Sequence, residues 1–204
     1  MMKAPLARAL LIAAVAGLFS AASVQAENKG SLSMVTGGVT SQPIGHYEFC
    51  QKYTAECNVR SKLTAPPRVT EYGWKLVREI NASVNNSIIA MTDQEIYGRD
   101  EVWEYPTTAG DCEDYVLLKR KMLIENGFSV SDLLITVVRK PDGEGHAVLT
   151  LRTTEGDFIL DNLSDEVKLW TDTQYTYLKR QASFNSGRWV SIEDGRDVLV
   201  GALR

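Results

Sequence analysis

The apolar periodicity of this chain changes once, at Asn126-Gly127. Upstream, apolar residues recur at helical spacing; downstream, they alternate with a period of two. Val69, Tyr72, Leu76, Val77, Ile80 and Val84 predict one helix, with Asn85-Asn86-Ser87 weakening its end. A second begins near Asp111 and carries Tyr115, Leu117, Leu118, Met122 and Ile124. Asp111 is its expected N-cap, Asp114 the reciprocal partner, and Asn126-Gly127 the stop. Between the helices, Met91 to Gly98 reads as a connection and Asp100 to Ala109 as irregular. After the change, Leu133 to Arg139, Ala147 to Thr153, Asp157 to Leu160, Tyr175 to Gln181 and Trp189 to Ile192 read as strands. Turn residues separate them, including Asn185-Ser186-Gly187 before the last. Helices first and an antiparallel sheet second make an α+β domain.

The ends of the chain read differently. Lys3 and Arg8, the apolar run Leu10 to Phe19, and Val24-Gln25-Ala26 have the order of a secretory signal cleaved after Ala26. The run is too short for a comfortable membrane span. Residues 27–42 are low in apolar content and are expected to be a flexible mature N-terminus. Residues 43–204 then form a single domain, with a short helix or a mobile tail from Arg196 onward. The expected location is periplasmic or secreted, with no stable membrane insertion after cleavage. Net charge is −4 and no basic cluster occurs, which argues against nucleic acid and anionic membranes as partners.

Export places the three cysteines in an oxidising compartment, where an odd count leaves one thiol over. Cys50 and Cys57 are close in sequence and are the natural pair, leaving Cys112 free. The rival is a zinc site from His46, Cys50 and Cys57, whose spacing fits no common zinc pattern.

Cys112 sits at an expected helix start, where unpaired N–H groups and the helix dipole favour a thiolate. His146 stands after Gly145, at the head of a strand, and Asp161 ends the next strand. If those strands form a hairpin, His146 and Asp161 lie near its same end. Cys, His and Asp from separate elements are the parts of a thiol nucleophile, its base and the base's orienter. The bland alternatives are a buried cysteine, a surface histidine and a turn-capping aspartate. Asp111, Glu113 and Asp114 are helix-start acids on the bland reading; three carboxylates in four residues also suit a hard cation such as calcium.

Three blocks together, Gly110-Asp111-Cys112-Glu113-Asp114-Tyr115, Gly143 to Leu149 and Phe158 to Leu163, resemble the bacterial transglutaminase-like cysteine proteinases. That family includes LapG-type periplasmic proteases, which cut large surface adhesins. The resemblance implies a papain/transglutaminase-like fold with the nucleophile at a helix start packed on the sheet. It assigns nucleophile, base and orienter to Cys112, His146 and Asp161, and calcium to Asp111 and Glu113, with Asp114 as a further ligand. It implies a protein substrate, a surface adhesin among the choices, and a regulatory membrane protein as partner. Trp103 is a candidate oxyanion donor. The expectation is an exported, calcium-dependent cysteine endopeptidase. The alternatives are acyl transfer to an amine, and a non-catalytic calcium-dependent binding module.

Overall fold

The computed structural model describes Met1 and residues 32–193. The expected signal segment, the cleavage point at Ala26 and the stretch from Arg196 lie outside the described residues. No helix among the described residues is long and apolar enough to cross a membrane.

Seven strands form one antiparallel sheet. They are β1 (Thr36–Thr40), β4 (Leu133–Arg139), β5 (Gly145–Thr153), β6 (Gly156–Asp161), β7 (Ser164–Leu169), β8 (Thr176–Ala182) and β9 (Asn185–Ile192). Their order across the sheet is β1-β9-β8-β4-β5-β6-β7. A separate parallel pair, β2 (Ile89–Ala90) with β3 (Ala109–Gly110), lies between the helices. The helices are α1 (Ile44–Lys52), α2 (Thr54–Cys57), α3 (Glu71–Ser87), α4 (Asp93–Tyr97) and α5 (Cys112–Glu125).

The two faces of the sheet are both covered, which is why β4 and β5 are almost wholly buried. On one face Leu133, Ile135, Ala147, Leu149, Leu151 and Leu160 pack against Val77, Ile80, Val84, Tyr115 and Leu117 from α3 and α5. Burying a side chain of this size contributes about 1.5–3 kcal/mol. On the other face Val138, Val148, Ile159, Trp170, Tyr177 and Ile192 close over Met34.

Met34 belongs to a stretch expected to be flexible, and here the expectation is corrected. From residue 32 the chain is pinned: Leu32 C=O accepts the Asp157 amide and the Trp170 indole N–H, at 2.8 and 3.1 Å. β1 then pairs along β9. The physical reason is an open sheet edge, whose unpaired backbone groups even a glycine-containing segment can satisfy.

Other local expectations shift for similar reasons. α3 runs through Asn85-Asn86-Ser87 because Asn81 and Asn85 donate to carbonyls at 161, 164 and 165, so tertiary bonds outweigh weak propensity. The Met91 to Gly98 connection contains α4, closed by a reciprocal Thr92–Glu95 capping box. Asn185-Ser186-Gly187 starts β9 rather than forming the turn, because Val59 and Arg60 pair with it from outside. Asp111 occupies the N-cap of α5 but makes no side-chain cap bond.

Candidate active site

Gly110 sets the approach to α5. A Cβ there would lie 2.6–2.7 Å from the Asp114 side chain, so only glycine leaves room for that carboxylate. Asp114 Oδ1 in turn accepts the Glu104 N–H at 2.9 Å and ties the 104 segment to the helix. Tyr115 Oη donates to the Ile88 carbonyl at 2.6 Å. The helix start is thus clamped from two sides, and Cys112, its first residue, is held against β5.

Cys112 is the free cysteine and is partly buried. Its Sγ accepts the Ala147 N–H at 3.4 Å and donates to Glu113 Oε2 at 3.1 Å. Burial first, and then the charge of Glu113, push the thiol well above its ordinary pKa. The Ala147 N–H and the helix N-terminus act in the opposite sense.

His146 precedes Ala147 on β5 and lines the same cleft as Cys112. Its Nε2 bonds Asp161 Oδ1 at 2.8 Å, and both residues are buried. Asp161 also accepts the Leu163 N–H on Oδ1 at 3.0 Å and the Tyr175 hydroxyl on Oδ2 at 2.5 Å. Burial works against the Asp161 charge, but the bonds from His146, Tyr175 and Leu163 outweigh it and hold the carboxyl below its usual range. Behind it on α5 lies Lys119, fully buried, with no hydrogen-bond partner on its Nζ. Burial pushes this amine down to about 7 against the charges of Asp161 and Asp165.

The acidic group is rearranged relative to expectation. Asp93, Asp111 and Glu113 each place a carboxylate oxygen within 4.8 Å of the others. Asp114 is not among them, because its carboxyl is turned to the 104 backbone. Asp93 arrives through the β2–β3 pairing: Ala90 lies opposite Gly110, so the next residues of each strand run side by side. One Asp93 oxygen accepts the Val102 N–H at 2.5 Å. The other, with Asp111 Oδ1, is buried without a partner. Burial, and the charges of their neighbours, raise Asp111 to about 6 and Glu113 to about 9. Orphaned carboxylate oxygens crowded at one point fit a hard divalent cation.

These groups line a cleft of about 650 Å³, together with Trp103, Lys179 and Ile44 of α1. α1 comes close because Gly45 has no side chain: a Cβ there would collide with the Trp103 indole and the Glu101 carbonyl. That contact turns the Trp103 Cδ1–Nε1 edge toward the α1 backbone. Beneath α1, Cys50 and Cys57 are joined as a disulfide, the pairing expected for them. His46 stands beside it, with Cys50 Sγ 3.6 and 3.8 Å from its two ring nitrogens. Being nearly equidistant, the sulfur meets neither nitrogen lone pair head-on, and both sulfurs are spent in the disulfide. His46 is held near a pKa of about 4, chiefly by burial, and accepts the Trp189 indole N–H at 3.2 Å. The zinc alternative does not fit this arrangement.

The structure therefore brings Cys112 and His146 to one cleft with Asp111 and Glu113, and Asp161 bonds His146 from outside that lining. Asp93 and Tyr175 were missed in the sequence, and only long-range pairing delivers them. Thr92-x-x-Glu95 was a readable signal for the helix that carries Asp93.

Comparison with known proteins follows the same lines. Residues 36–197 match the bacterial transglutaminase-like cysteine proteinase BTLCP family. A search of curated proteins found no match. Among solved structures, calcium-bound Legionella pneumophila LapG aligns with a TM-score of 0.50 at 22% identity, over 64% of this chain and 81% of that one. EGTA-treated LapG from the same organism aligns at 0.48 and 25% identity, over 64% and 80%. The structural likeness speaks for the fold, which is that of a transglutaminase-like cysteine protease. The family match spans most of the chain, and with it the chain belongs to the bacterial transglutaminase-like cysteine proteinases.

Proposed function

We propose that this cysteine proteinase is an exported endopeptidase working through Cys112, His146 and Asp161. The observation that carries the reading is the buried His146–Asp161 bond at 2.8 Å, on the strand whose next N–H meets the Cys112 sulfur. With Nε2–H given to Asp161, the other ring nitrogen, Nδ1, is the proton acceptor. Nδ1 takes the thiol proton and the sulfur attacks a peptide carbonyl. The Cys112 N–H, in the first helical turn and without a helical acceptor, supports the oxyanion. The C–N bond breaks as His146 returns the proton to the leaving amine. Water, deprotonated by His146, then releases the acid and restores the thiol.

Asp93, Asp111 and Glu113 are the residues that would hold calcium, and the structure of a calcium-bound neighbour supports that choice of cation. Bound there, the ion would offset the negative charge beside the sulfur and so favour its thiolate. In this reading the substrate is a surface or periplasmic protein, with a large adhesin as the leading class.

The test is labelling with a peptidyl chloromethyl ketone, followed by peptide mapping. Alkylation is expected at Cys112 alone, faster with calcium than after chelation, and lost in His146→Ala. Equal labelling of the His146→Ala protein would overturn the triad. Comparing N-termini of surface and periplasmic proteins with and without the enzyme then identifies substrates. Product masses separate hydrolysis from incorporation of an added amine.

A further inference from the structure

Tyr175 has no place in a three-residue account, yet it touches two of the three. Its hydroxyl donates to Asp161 Oδ2 at 2.5 Å. Its ring centroid lies 5.6 Å from that of His146, inclined at 60°. One side chain therefore holds the far oxygen of the orienter and packs on the base. Its position is not incidental. The residues before it form a tight turn, with Thr173 Oγ1 donating to the Trp170 carbonyl at 2.8 Å and bonding Tyr177 Oη at 2.9 Å. β8 begins at the next residue, so the backbone on both sides is fixed.

The chemistry of Asp161 explains why such a partner matters. A carboxylate with one free oxygen can rotate about its Cβ–Cγ bond or recruit water. Either movement loosens the bond that aims the imidazole. Here all of its bonds come from fixed donors: His146 and Leu163 on Oδ1, Tyr175 on Oδ2. Asp161 and Tyr175 both line a neighbouring cavity of about 410 Å³, and there the Tyr175 hydroxyl, not cavity water, meets Oδ2. A phenol is suited to this task, since its ring excludes water and its O–H makes a strong bond to an ion.

We infer that Tyr175 is a positioning residue of the proteinase reaction. It locks the Asp161 carboxylate through Oδ2 and seats the His146 ring, extending the catalytic chain to four members. The inference rests on the triad reading above.

The experiment measures labelling of Cys112 by a peptidyl chloromethyl ketone as kinact and KI, beside the downfield NMR resonance of the His146 Nε2 proton. Tyr175→Phe keeps the ring and removes the donor. Its kinact is expected to fall on the order of tenfold with KI unchanged. The resonance should move or broaden through exchange. Replacement by 2,3-difluorotyrosine keeps the shape and sharpens the donor, so the resonance should move the opposite way. This second arm remains readable even where Tyr175→Phe lowers stability. Unchanged kinact and an unchanged resonance in both proteins would overturn the inference while leaving the triad intact. Full labelling of Asp161→Asn and His146→Ala would instead remove the triad reading beneath it.

Discussion

The two halves of the cleft are built on opposite electrostatic terms. On the β5–β6 side, every oxygen of Asp161 has a donor, and its carboxyl is held below the usual range. On the α5 side, Asp93 and Asp111 carry orphaned oxygens, and burial drives Asp111, Glu113 and the Cys112 thiol upward. In the proposed triad the base, His146, is held in place by the protein alone. The nucleophile is not prepared in that way, since its own neighbours oppose its ionisation. The lesson is that a preorganised pair can sit beside a conditional one in a single site, and that the conditional half is where control is cheapest to install.

Mutations can break each half separately. The largest effect is expected on the nucleophile: Cys112→Ala should leave no detectable turnover, with an unchanged circular dichroism melt. Asp161→Asn attacks the prepared half and should cost on the order of 10³–10⁴-fold in turnover, because the amide favours the wrong tautomer. A loss below tenfold would show that the α5 side alone carries the chemistry.

Asp93→Ala sharpens the contrast. It should weaken calcium binding by at least about tenfold in calorimetry, since one of three carboxylates is gone, and it should leave the His146 Nε2 proton resonance in place. Calcium affinity equal to the parent would detach Asp93 from the metal group. Replacing Cys50 and Cys57 by serine lies further from either half. Opening so short a loop should cost about 2–3 kcal/mol and lower Tm by about 5–10 °C, with calcium affinity retained. Asp114→Asn should have the smallest effect. It keeps the oxygen that accepts the Glu104 N–H, so calcium affinity should stay within twofold; a larger loss would return Asp114 to the ligand set.

The legibility of the molecule follows the same division between local and distant causes. Cys112, His146 and Asp161 each stand at an element boundary, and a glycine lies just before the first two. The odd cysteine count left one thiol over, and closeness in sequence picked Cys50 and Cys57 as the pair. Asp93 and Tyr175 lie far along the chain from the residues they join, and no local pattern announces a side chain delivered by sheet register. β7 is an edge strand of exposed and half-buried residues, so its Ser164-Asp165-Glu166 start shows little alternation. β1 was hidden by Gly37-Gly38, residues that rarely signal a strand. Asp114 lies outside the Asp93, Asp111 and Glu113 group, and its bond to the 104 backbone is visible only once Gly110 is seen to make room for it.

The pairing of β1 with β9 also has a kinetic consequence. It joins the first and last strands of the sheet, so the loop to be closed is nearly the whole domain. Such contacts form late, because their entropy cost is met before any reward. α1, whose Ile44 lines the cleft, follows directly from β1, and α2 beyond it docks on β9. A refolding chain is therefore expected to bring Cys112 and His146 together before the α1 side of the cleft is in place. Pulse-labelled hydrogen exchange during refolding should protect β4 to β6 first and β1 last. A peptidase assembled in this order is expected to stay proteolytically silent until β1 has paired with β9.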